Sequence, residues 1–214
     1  MTDKNVENLI SKLSGDLSAV KVHWSAEKRS FLWLTLHATW IGALGLFMSH
    51  SSGFSLGDIS YRTDLYLELF LFFIVAGVTS FASFASMVPG RLSRKIDIAI
   101  TLAAPVILLT LFIVKMMTSE GHMFKSSMLI GCEFQIFLYT LAPIFHLYYM
   151  IRNGEHYYSK FTFYSMGTAA ALLPSALMHI VCMGDYKHVV IYHIGTVAII
   201  AVLTSWAMKK ALNK

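Results

Sequence analysis

The sequence predicts an all-α membrane protein: a six-transmembrane-helix bundle with both termini in the cytoplasm and a short amphipathic cytoplasmic N-terminal helix. Three observations carry this reading. The 214 residues are 56% hydrophobic and only 14% charged, against roughly a quarter charged in ordinary soluble domains. The apolar residues gather into six runs, each close to the about 20 residues a helix needs to cross the hydrocarbon core. The lysines and arginines between those runs alternate in density from one connection to the next. Three regions follow: a cytoplasmic leader over 1–30, a transmembrane domain over 31–208 and a basic cytoplasmic tail over 209–214.

The leader is the one segment with a clear helical period. Val6, Leu9, Ile10, Leu13, Leu17 and Val20 recur at steps of three and four and form one stripe. Asp3 or Asn5 can cap its start, and Gly15 weakens it by up to about 1 kcal/mol relative to Ala. A helix apolar on one side lies on the inner membrane surface, packs on the bundle or binds a protein partner. Met1 to Ser30 is polar and has no apolar core of the signal-peptide kind, so no cleavage is expected.

The spans are placed at about 31–49, 65–88, 96–114, 127–150, 161–182 and 188–208. Periodicity does not help inside them, because the runs are apolar all round; length and the polarity of the connections carry the assignment. Pro89-Gly90-Arg91 ends the second span as a turn. Pro105, Pro143 and Pro174 fall inside the third, fourth and fifth spans, where membrane helices tolerate proline as kinks. The short connections at 89–95, 151–160 and 183–187 make sequential helices antiparallel neighbours and leave no room for an extramembrane domain.

Charge sets the orientation. The N-terminal tail, the second and fourth loops and the C-terminal tail hold 13 of the 17 Lys and Arg; Arg62, Lys115, Lys125 and Lys187 on the other side make four. The dense side is cytoplasmic by the positive-inside rule. The +5 net charge is spread between apolar segments, where it orients helices, so direct nucleic-acid binding is not expected. Two cysteines are too few for a disulfide framework and lack zinc-finger spacing.

This topology sorts the polar residues by depth. Cys132 lies near the start of the fourth span and Cys182 closes the fifth, both at the outer end. Counted from mid-span, their depths differ by roughly 6 Å, which permits a disulfide with its Cα separation of about 4.4–6.8 Å without requiring one. Two unpaired packing residues fit the same pattern. His179 lies one turn before Cys182; Glu133 follows Cys132; Asp185, His188 and His193 belong to the last outer loop and the helix after it; and Glu68 enters the second span near the same surface. Cys and His together favour borderline or soft metals. His179, His188 and His193 are therefore candidate ligands for a transition-metal ion, although no resident cofactor is expected. The alternative is hydrogen bonding between helices. His37 and His146 lie toward the inner side, where two facing histidines at matched depth are what a haem between helices would need. No Ser-His-Asp spacing, phosphate loop or paired-carboxylate motif stands out.

Several stretches resemble the NrsF family of bacterial negative regulators of sigma factor F. They are Leu9-Ile10-Ser11-Lys12-Leu13 with Asp16-Leu17, Val88-Pro89-Gly90-Arg91, Gly131-Cys132-Glu133, Ala142-Pro143, Arg152-Asn153-Gly154, His179-Ile180-Val181-Cys182, and His188 with Tyr192-His193-Ile194-Gly195. Length, six spans and the basic C-terminus agree, so the likeness covers nearly the whole chain. The stretch Val20-Lys21-Val22-His23-Trp24 stands where the family has an Arg- and Pro-rich segment. The resemblance implies a membrane-anchored anti-sigma factor of the bacterial inner membrane, not an enzyme. It implies that the protein holds an extracytoplasmic-function-type sigma factor, and that Cys132 and Cys182 sense stress. The expected partner contacts are Leu9, Leu13 and Leu17. The alternative expectation is a metal- or haem-binding membrane redox protein or transporter using the same outer His and Cys residues.

Overall fold

In the computed structural model, the residues described are 7, 24–52, 63–88, 91–118, 131–152, 160–182 and 186–212. Among them every regular element is helical and no strand occurs. The long helices are α1 (Ala26–Ser52), α2 (Thr63–Ser86), α3 (Arg94–Thr118), α4 (Cys132–Arg152) and α5 (Lys160–Cys182). A last rod has three parts: α6 (Tyr186–His188), a π-helical segment (Val189–Ile194) and α7 (Gly195–Leu212). Leu9, Leu13, Leu17 and Asp185 lie outside the described residues.

Five helical stretches are long and apolar enough to cross a membrane: Ala26–His50, Asp64–Ser86, Lys95–Thr118, Phe161–Cys182 and Tyr186–Ala211. The first begins five residues before the expected start at 31, because Ala26 and Glu27 already continue the helix. At 21 residues, α4 reaches about 31 Å at 1.5 Å per residue, but it carries Glu133, Gln135, His146 and three tyrosines among its apolar residues and is not one of the five. The outward faces carry Phe31, Phe47, Leu67, Phe70, Phe134, Phe145, Ile191 and Trp206, all well exposed. An apolar outer surface on this scale suits lipid and would be a liability in water.

The bundle is built around α5, 89% of whose most apolar stretch is buried, against 17% for α1. The reason lies in its sequence: Gly167, Ala169, Ala170, Ala171, Ser175 and Ala176 are small enough to let neighbouring backbones close in. A Cβ placed on Gly167 would meet the Ala201 Cα at 2.7 Å, so α5 and α7 touch backbone to backbone there. α5 packs on α7, α2 and α4, and more lightly on α1 and α3. Pro105, Pro143 and Pro174 sit inside α3, α4 and α5, which continue through them.

Buried hydroxyls join the helices in the half of the bundle that holds the 89–95 connection. Ser30 pairs with Ser80 at 2.6 Å, Ser86 with Thr162 at 2.7 Å and Thr101 with Ser165 at 2.7 Å. Such bonds contribute about 0.6 kcal/mol each on average within a membrane. Arg91 pairs with Glu27. Further along, the His37 Nε2 and His146 Nδ1 atoms lie 3.0 Å apart in a direct α1–α4 hydrogen bond. The two histidines therefore face each other, as their depths suggest.

Candidate metal centre

Three chain segments meet at the end of the bundle opposite the start of α3. Gly131, at φ +127°, takes a left-handed conformation that suits glycine and turns the chain into α4. Its carbonyl accepts the Gln135 N–H at 2.9 Å, so Cys132 is the first residue of the helix. Cys182 is the last residue of α5. His188 and His193 come from the rod that follows.

The π segment makes the two histidines neighbours. Five residues advance an α-helix by about 500°, which would leave positions 188 and 193 about 140° apart on different faces. The i→i+5 bonding of a π turn widens the coil and brings such positions together. Here the Gly195 N–H bonds to the Val190 carbonyl across that step. The His188 and His193 ring centroids lie 5.1 Å apart with the ring planes at 79°.

The sulfurs of Cys132 and Cys182 and a ring nitrogen from each of His188 and His193 all lie within 4.8 Å of one another. Cys132, Cys182 and His193 are buried, with His193 fully so; His188 is half-buried. Both cysteines are present as thiols. Neither ring nitrogen of His188 or His193 finds a partner at ordinary hydrogen-bond geometry; the polar group in front of both is the Cys132 thiol. Buried polar atoms without partners are costly, and one nitrogen of each ring lies within 4.8 Å of both sulfurs, the arrangement of a ligand set.

The donor set fits a zinc-class ion. Bond lengths of about 2.3 Å to sulfur and 2.0–2.1 Å to nitrogen put tetrahedral donors roughly 3.3–3.8 Å apart. With all four donors within 4.8 Å of one another, no pair would have to close by more than about 1.5 Å to reach that spacing. Two thiolates and two neutral imidazoles around a divalent ion sum to zero charge, which suits a site withdrawn from water. Thiolate and imidazole together select zinc, copper(I) and their soft relatives over magnesium or calcium.

His179, the third expected ligand, stands outside this set. Its Nε2 lies 2.6 Å from the Glu68 Oε2, while its ring meets that of His193 edge-on at 6.3 Å. Glu68 also accepts the Tyr186 hydroxyl at 3.0 Å and pairs with Lys115. The sequence places Glu68 near this surface, but nothing in spacing points to Tyr186 or Lys115 as its partners. The five-residue spacing of His188 and His193 does not by itself mark a π turn in the sequence.

The fold and the site together define an all-helical protein with membrane-length apolar helices and a buried Cys2His2 donor cluster at one end. No protein-family model, curated protein or solved structure matches the chain.

Proposed function

We propose that the chain is a membrane-anchored signal transducer with six spans and both termini in the cytoplasm of a bacterial cell. In this reading Cys132, Cys182, His188 and His193 sense a thiophilic metal or an oxidant at the outer face of the inner membrane. The cytoplasmic leader, through Leu9, Leu13 and Leu17, sequesters an extracytoplasmic-function-type sigma factor and releases it on that stress signal. The observation that carries the reading is the convergence of four soft donors from three segments. The stretches around those donors are among those resembling the NrsF family, which supports the anti-sigma assignment. The 13-to-four distribution of basic residues supports the orientation, and the length of α4 supports a sixth span.

The coordination also favours sensing over catalysis. Four protein donors fill a tetrahedral site, whereas catalytic zinc sites keep one position open for water or substrate. Drawing Cys132 and Cys182 together pulls the start of α4 toward the end of α5. Because α4 also bonds α1 through His146 and His37, a shift of α4 reaches the helix that continues from the leader. Release then requires two packing states of the bundle, biased from both ends.

Co-purification tests the partner: the full-length chain should retain a co-expressed sigma factor, and a chain beginning at Glu27 should lose it. Equal retention by both would remove the leader from the mechanism. A Cys132→Ser variant that still releases the sigma factor fully in response to oxidants or metals would sink the thiol switch. The compact Cys2His2 cluster also favours a second reading, a metal-binding membrane redox protein or transporter. Metal-dependent transport or electron transfer by the purified protein in vesicles, with no sigma-factor retention, would select it.

A further inference from the structure

Glu68 is 1% exposed, yet its carboxylate gathers donors from three elements. His179 of α5 and the Tyr186 hydroxyl of α6 reach it at 2.6 and 3.0 Å, and Lys115 of α3 pairs with it. His179 lies one turn before Cys182, and Tyr186 lies two residues before His188. The outer end of α5 and the start of the last rod are thus tied to one carboxylate, each beside a residue of the Cys2His2 cluster. The His179 ring is fixed further by Phe112, edge-on at 5.5 Å, and by Phe72 at 5.9 Å.

We infer that Glu68 is the positioning residue of the metal centre, presetting Cys182 and His188 through His179 and Tyr186. This rests on the metal reading of the Cys2His2 cluster. Ligand sets bind tightly when outer partners hold the ligands in place, and loss of such partners typically costs about 10–100-fold in metal affinity. A negative charge is needed here because all three partners donate. In Glu68→Gln the amide nitrogen is itself a donor, so at least one of the three contacts becomes donor against donor. Lys115 keeps 38% of its side chain exposed and can turn to water, so the substitution strands no buried cation.

The test is Cd2+ titration of the purified full-length protein, wild type against Glu68→Gln, followed by thiolate-to-metal absorption. The expected result is one Cd2+ per chain in both, the same absorption band, and a dissociation constant about 10–100-fold higher in the variant. The metal-free variant should stay folded with a lowered unfolding temperature, because a donor-against-donor contact is costly in a buried site; reading Cd2+ affinity on protein that is still folded separates positioning from global unfolding. Glu68→Asp keeps the charge and should recover part of the affinity; an Asp variant no tighter than Gln would overturn the role of the charge. Equal Cd2+ affinity in wild type and a folded Glu68→Gln would overturn the positioning role while leaving the metal centre intact. Should Glu68→Gln fail to fold, Tyr186→Phe removes a single hydroxyl, and unchanged affinity there overturns the inference equally. A wild type that binds no Cd2+ would overturn the metal reading itself, and the positioning role with it.

Discussion

His188 and His193 stand five residues apart and still face each other across one wide helical turn, ring centroids 5.1 Å apart. The π segment between them is the cause. Deleting Ile191, which is 62% exposed, should return the segment to α-helix with the two histidines four residues apart, on one face and about 40° from each other. The deletion variant should remain folded and still bind about one metal ion per chain, because histidines at that spacing can share an ion. Loss of stoichiometric metal after the deletion would mean that the wide π turn itself, and not a shared face alone, sets the pair.

A metal held by Cys132, Cys182, His188 and His193 must displace protons from its ligands. Affinity should therefore rise with pH and fall on acidification, as the thiols and imidazoles regain protons. Elemental analysis of protein purified in detergent should find about one zinc-class ion per chain. Cys132→Ala and His193→Ala should each abolish it. Full occupancy in either variant contradicts the assignment.

The thiols of Cys132 and Cys182 are close enough that oxidation should join them in preference to partners elsewhere. Treatment with a mild oxidant should protect both from alkylation together, and prior loading with Zn2+ should protect them without oxidation. Mass spectrometry of the alkylated peptides distinguishes the cases. Independent modification of the two cysteines under oxidant would speak against a paired switch.

Helix packing makes a contrast between two glycines. Gly167→Ala would place a Cβ 2.7 Å from the Ala201 Cα, so the α5–α7 contact must open, at about 1–3 kcal/mol. Gly42, inside α1, has nothing within 4 Å of a new Cβ, and Gly42→Ala should match wild type or stabilise it by up to about 1 kcal/mol. Reversible unfolding in mixed micelles measures both; equal stabilities would show that the close approach at Gly167 is not tight.

Much of the fold was legible because the signal is a property of the chain itself. Apolar runs of bilayer length identify helices with no knowledge of their neighbours, and the spans come within a few residues of the helices found. Where they differ, a local cause is visible: α1 starts at Ala26 because Ala26 and Glu27 continue the helix, and α4 starts at Cys132 because Gly131 turns the chain there. The sequence also sets Cys132, Cys182, His179, His188 and His193 at one end of the bundle by depth alone.

Depth is a single coordinate, and a site needs three. Which side chains at that depth face each other was decided by tertiary structure. His179 and His193 are candidates of the same kind in the sequence, yet α2 presents Glu68 to His179, while the π turn aims His193 at the cysteines. An all-apolar helix carries no periodic marker of its rotation, so the sequence determined which residues share a depth. Only the packing around α5 and the widened turn after it decided which of them meet.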